Sequence, residues 1–127
     1  EQYVNSIDVE AKLMVNMATT MIYPAAVTYL SELSATAANL KTLGVSLDAS
    51  LAQSIADEAN ALMAAVAKLS EARAQHDFEN VQAHMTFLAN TVRGYMNEVR
   101  AHADKLETLI ADEVWPLPKY SEMLFIK

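Results

Sequence analysis

Three histidines, two adjacent carboxylate pairs and seven methionines are the side chains in this 127-residue chain whose types could do chemistry. A di-iron site in a helical bundle takes a Glu-x-x-His pair from each of two helices, plus further glutamates. The residues three before His76, His84 and His102 are Arg73, Val81 and Val99, so that pattern is missing. There is no His-Glu-x-x-His pair for zinc and no nucleophile-elbow sequence, although composition alone does not exclude a Ser-His-Asp set. With no cysteine, disulfides, thiolate metal sites and a cysteine nucleophile are ruled out. Gly44 and Gly94 are isolated, so no glycine-rich loop cradles a phosphate. Asp57-Glu58 and Asp112-Glu113 could hold a divalent cation, but such pairs are more often solvated helix faces. Methionines at helical spacing are more often core filler than a binding surface. The expectation is no catalytic, cofactor-binding or metal-ligating residue. His102 falls on a helix seam and reads as a core-edge histidine satisfied by one partner, with Glu98 one turn earlier in reach. His76 sits at a helix junction, placed to cap carbonyls, and His84 lies off the seam, exposed to solvent.

The elements that carry these residues are few and long. Two glycines and three prolines leave little room for turns, and abundant alanine favours helix over strand. The first helical pattern runs from about Ile7 to Leu43 along Ile7, Ala11, Met14, Ala18, Met21 and Ala25, then Tyr29 or Leu30, Leu33, Ala37 and Leu40. Val9, Leu13, Met17 and Ile22 add a second apolar side, so this helix needs partners on more than one face. Pro24 inside the pattern removes one N–H and predicts a break near Thr20 to Tyr23. Gly44 is a C-cap, and Ser46 or Asp48 an N-cap, for a second helix reaching about Gln75 along Leu51, Ile55, Ala59, Leu62, Val66 and Leu69. Asp77 can cap a third. Its seam reads Phe78, Val81, Met85, Leu88, Val92, Tyr95, Val99, His102, Leu106 and Leu109, spaced 3,4,3,4 as in a heptad repeat. Short links make consecutive helices antiparallel. The predicted fold is all-α: an elongated up-down-up three-helix bundle over residues 1–114 in a single domain.

After Val114 the texture changes. Trp115-Pro116-Leu117-Pro118 cannot be helix interior and is predicted extended, with Ser121 capping a short terminal turn through Met123, Leu124 and Phe125. Residues 115–127 thus form a Pro-rich tail whose apolar side chains Trp115, Leu117, Tyr120, Leu124 and Phe125 predict docking, on the bundle or on a surface outside it.

A net charge of −7 and nine scattered basic residues exclude a nucleic-acid face and offer none for anionic lipid. From Leu13 to Ser31 there are 19 residues without charge, long enough to cross a bilayer. The stretch includes Asn16, Thr19, Thr20, Pro24, Thr28 and Ser31, which favours a helix covered by protein. The chain opens on Glu1-Gln2-Tyr3 with no initiator Met and no signal-peptide pattern, and reads as a piece of a longer protein.

Two stretches carry a resemblance. One is Asn5-Ser-Ile-Asp-Val-Glu-Ala-Lys-Leu-Met, followed by Met17-Ala and Ile22-Tyr-Pro-Ala. The other is Val114-Trp-Pro-Leu-Pro-Lys-Tyr-Ser-Glu-Met-Leu-Phe. Together they resemble the C-terminal region of type III glutamine synthetases, large bacterial and cyanobacterial enzymes. The resemblance implies a parent that ligates ammonia to glutamate with ATP and a divalent metal, Mg or Mn, in a cytoplasmic ring-shaped homo-oligomer. The family's ATP, glutamate and metal residues lie upstream, and none of those motifs occurs here. This chain is then expected to be a non-catalytic structural and assembly domain, partnered by the rest of its parent chain and by neighbouring subunits. The alternative is a stand-alone helical interaction or ligand-sensing module of a signalling protein.

Overall fold

The computed structural model describes residues 2–118, with side chains from residue 6 onward, and all regular structure in that span is helical. The first rod consists of α1 (Gln2–Met17), a π-turn (Ala18–Ile22) and α2 (Tyr23–Thr42). The second is α3 (Ser50–Arg73). The third consists of α4 (Val81–Phe87), a π-turn (Leu88–Val92) and α5 (Arg93–Leu109). The three rods pack against one another, the second and third most extensively. The expected short terminal turn through Met123, Leu124 and Phe125 lies outside the described residues.

Local chemistry sets the ends of these rods. Gly44 takes φ +79°. The Val45 N–H donates to the Leu40 carbonyl and the Gly44 N–H to that of Lys41, each at 3.0 Å, so the last carbonyls of α2 are satisfied. That backbone conformation suits glycine because a Cβ would crowd the following carbonyl oxygen. Asp48 opens α3 from two residues outside it, accepting from the Ser50 N–H at 3.0 Å and the Ser50 hydroxyl at 3.0 Å. The third rod starts later than the sequence suggests. Its cap is Asn80, whose Oδ1 accepts from the Ala83 N–H at 2.8 Å, while Asp77 lies in the connection. It also ends earlier, at Leu109, where Ile110 turns extended. Acidic Asp112 and Glu113 are unfavourable at the negative end of a helix dipole, and Pro116 pushes Trp115 out of helical geometry.

The break expected from Pro24 takes the form of a π-turn. Tyr23 donates to Ala18, five residues back. The Thr19 and Thr20 hydroxyls donate to the carbonyls of Val15 and Asn16 at 2.8 and 2.6 Å, one turn earlier. The wider turn makes room for a proline ring that would clash with the carbonyl four residues before it. The second π-turn has no proline to announce it; Arg93 donates to Leu88, again five back. One extra residue in that turn shifts part of the buried seam of the third rod: Val99 and Leu106 are buried as expected, while Met96 and Ile110 are buried in place of Tyr95 and Leu109, which lie on the flank. Val81, expected on that seam, is 68% exposed.

The core joins Ile7, Ala11, Ala18, Ile22 and Ala26 of the first rod to Ile55, Ala59, Leu62, Val66 and Leu69 of the second, and to the shifted seam of the third. Alanines on the first rod's inner side let its backbone approach closely. Met21 and Leu51, both expected to be buried, are left exposed.

Candidate functional site

The polar groups of the bundle gather along the seams between rods. His102 projects from α5 toward α3, and its Nδ1 lies 2.7 Å from Glu58 Oε1, with both side chains about three-quarters buried. The partner is therefore a glutamate from the neighbouring rod, not Glu98 on its own helix. Glu98 pairs instead with Lys68 at 3.6 Å, and Lys105 reaches the second oxygen of Glu58 at 3.7 Å. These three contacts join α3 to α5. The Glu58 carboxylate orients the His102 ring; a catalytic imidazole needs in addition a nucleophile or a reacting atom beside it.

At one end of the bundle, Arg73 Nε donates to Asp8 Oδ1 at 3.0 Å and Nη2 lies 3.5 Å from Oδ2, closing α3 onto α1. Beside it is a cavity of about 240 Å³ lined by Asp8, Arg73, His76, His84 and Phe87, among others. His76 Nδ1 sits 2.8 Å from the Ala74 carbonyl, holding the end of α3. His84 is not free in solvent: its ring stacks on Phe78 with centroids 4.4 Å apart. Among the described residues, no three His, Asp or Glu side chains are arranged to hold a metal ion. Asp57-Glu58 is divided by its partners, since Asp57 accepts from Gln53 and Glu58 from His102.

Two apolar surfaces stand out. Where the third rod stops short, α2 and α3 leave a groove of about 570 Å³ between Leu30, Leu33 and Ala37 on one side and Leu47, Leu51 and Ala52 on the other. The second surface is the outer side of the first rod. Val9 is 55% and Leu13 54% exposed, and both border a groove of about 530 Å³ with Lys12, Asn16 and Thr19. Ile22, expected on that outer side, is buried at 5% because the π-turn rotates it inward. Ser6–Thr42 is long and apolar enough by length and composition to cross a membrane, and only 17% of its most apolar window is buried, so the protein cover expected over it is largely missing among the described residues.

Of the tail residues, Trp115 and Leu117 are half-buried and rest on the bundle core, after a turn in which Trp115 N–H donates to the Ala111 carbonyl at 3.0 Å. The Trp115 indole nitrogen is buried and has no hydrogen-bond partner among the described residues. Tyr120, Leu124 and Phe125 lie outside the described residues. The two π-turns were not legible in residue spacing, apart from Pro24 in the first. The Glu58–His102 pair crosses 44 residues of sequence and had no local signal.

Comparison with known proteins adds what geometry does not. Residues 1–41, the span of the first rod, match the family model described as the glutamine synthetase C-terminal domain. A glutamine synthetase of Bacteroides fragilis is 34% identical over an alignment that covers the whole of this chain and 19% of that protein. A type-3 glutamine synthetase of Dictyostelium discoideum is 30% identical, again across the whole chain and 18% of its own length. The chain thus spans under a fifth of the length of either relative.

Proposed function

Because this chain belongs to the glutamine synthetase C-terminal domain family, we propose that it is a non-catalytic structural and assembly domain of a type III glutamine synthetase. The parent would join ammonia to glutamate at the expense of ATP, with Mg or Mn held elsewhere in the chain. It would do so in the cytoplasm, as a homo-oligomer. The observation that supports this reading is the contrast between the two kinds of surface. Arg73–Asp8 and His102–Glu58 join rod to rod, whereas Val9 and Leu13 of the first rod face outward. Where polar groups do converge, in the cavity of Asp8, Arg73, His76 and His84, Arg73 is tied to Asp8 and His76 to the Ala74 carbonyl. In this reading residues 1–114 are the bundle and 115–127 a docking arm that uses Trp115, Leu117, Tyr120, Leu124 and Phe125. Trp115 and Leu117 anchor the arm's root on the bundle itself.

The test is activity of the pure 127-residue chain with ATP, Mg or Mn, glutamate and ammonium. No glutamine forms and no nucleotide binds in equilibrium dialysis. Stoichiometric nucleotide binding, or turnover that follows the chain through purification, would refute the non-catalytic assignment.

A further inference from the structure

The apolar stripes of the first two rods run on past the point where the third rod stops. Leu30, Leu33 and Ala37 of α2 face Leu51 and Ala52 of α3 across the groove of about 570 Å³. Leu51 and the preceding Leu47 stay 36% and 45% exposed. In a three-rod bundle the third rod would fill that space, but α5 ends at Leu109. Its last turn lies beside Ser54 and Asp57, one turn of α3 from Leu51. Among the described residues, none of the third rod lines the groove.

The segment that leaves this end of the bundle is the tail. Trp115 and Leu117 rest on the same buried core as Leu30 and Leu33, and the Trp115 N–H is held by the Ala111 carbonyl. Residues 119–127 therefore start from an anchored root at the end of the bundle where the groove opens. Nine residues reach about 30 Å when extended, whereas Leu30 to Ala37 is only about 10 Å of helix.

We propose that the groove is the seat of this chain's own residues 119–127, with Tyr120, Leu124 and Phe125 set against Leu33, Ala37, Leu51 and Ala52. The inference rests on the docking-arm reading and names what the arm docks on. It leaves Val9 and Leu13, which support the assembly reading, uncovered. Composition matches the walls: Tyr120, Met123, Leu124, Phe125 and Ile126 make the segment mostly apolar. Leu117, Tyr120 and Leu124 are spaced three and four apart, which puts them on one side of a helical turn. Charge matches too. The segment holds Lys119, Lys127 and Glu122 in a chain of net charge −7, and the charged residue lining the groove is Asp48. The tail of a second copy carries the same side chains. The anchored root favours the chain's own, because a tethered segment binds at an effective concentration of about millimolar, and a second copy must first bring two acidic bundles together.

The experiment is cross-linking of paired thiols by a short bis-maleimide in the 127-residue chain, which has no cysteine of its own. Ala52→Cys with Met123→Cys reports on the groove and leaves Tyr120, Leu124 and Phe125 in place. Asp57→Cys with Met123→Cys is the control, because Asp57 lies at the same level of α3 but on the cleft beside Thr108 and Leu109. The expected result is a link within one chain that forms at least about ten-fold faster for the 52 pair than for the 57 pair. Adding Tyr120→Ser and Phe125→Ser removes that difference. Equal rates for the two pairs overturn the proposal, as does a difference that survives the serine changes. So does rapid linking between one chain carrying only Ala52→Cys and another carrying only Met123→Cys, which would give the groove to a second copy. All of this is read on the chain without its parent, so a failure here leaves the assembly-domain reading to its own test.

Discussion

Replacing Met96 and Tyr95 in turn by lysine asks whether the third rod contains its π-turn. An unbroken 3,4 repeat puts Tyr95 in the core and Met96 on its flank. The extra residue at Leu88–Val92 reverses them, and Met96 is 4% exposed. Lysine at 96 loses the thioether's packing, about 2–5 kcal/mol by comparison with large-to-small changes in cores. It must also bury an ammonium, or bend its stem out past neighbours that leave no gap, at a cost of a few kcal/mol more. The total is comparable to the whole stability of a small domain, about 5–15 kcal/mol. Tyr95 is half-buried, so a lysine there lays its stem along the surface and keeps its charge in water, costing about 1–2 kcal/mol. Urea denaturation followed by far-ultraviolet circular dichroism measures both. Met96→Lys leaves the chain unfolded or barely folded in water, and Tyr95→Lys only lowers the midpoint. The opposite order would restore the regular heptad and refute the shifted seam.

Three further outcomes follow from the same structure. A double-mutant cycle between His102→Ala and Glu58→Ala gives a coupling of about 0.5–1.5 kcal/mol in thermal or urea melts, discounted for partial solvation, and the cycle between His102→Ala and Glu98→Ala gives none. Gly94→Ala, where an added Cβ meets nothing within 4 Å, stabilises the chain by about 0.5–1 kcal/mol, while Gly44→Ala at φ +79° destabilises it by about 1–2 kcal/mol. The Ser50 backbone N–H, and then its hydroxyl, hold the Asp48 carboxyl below its ordinary value of 3.8. A depressed folded value means that the cap contributes above pH 3.8 and is lost as pH falls through the folded value. The stability difference between the chain and Asp48→Asn is therefore present at neutral pH and absent in strong acid; a difference that persists there would show that the cap does not act through its charge.

The three rods and their order were legible because helical periodicity over 20 or more residues is a strong signal, and because Gly44 and Asp48 carry cap chemistry in their residue types. What sequence reasoning missed shares one cause. A π-turn is a one-residue event that changes no residue type; Pro24 marks the first, and nothing marks the second. From there the assignment of inside and outside slips at single positions, which misplaced Tyr95 and Ile22 but left Val99 and Leu106 where they were expected. Partner choice was equally opaque: Glu98 is one turn from His102 on the same helix, but the neighbouring rod brings Glu58 to 2.7 Å. The expectation of no catalytic residue rested on motif spacing, whereas the outward apolar face of Val9 and Leu13 was visible as a second stripe on a helix already furnished with one.

The central claim is that this domain assembles a glutamine synthetase without sharing in its chemistry. The most direct test is sedimentation velocity on the full-length enzyme beside a version lacking the 127 residues, with activity measured on each species across the gradient. The account predicts that the shortened enzyme sediments as smaller species whose catalytic part still binds ATP. If it instead sediments as the intact oligomer with full activity, the domain is not an assembly element and the account is wrong.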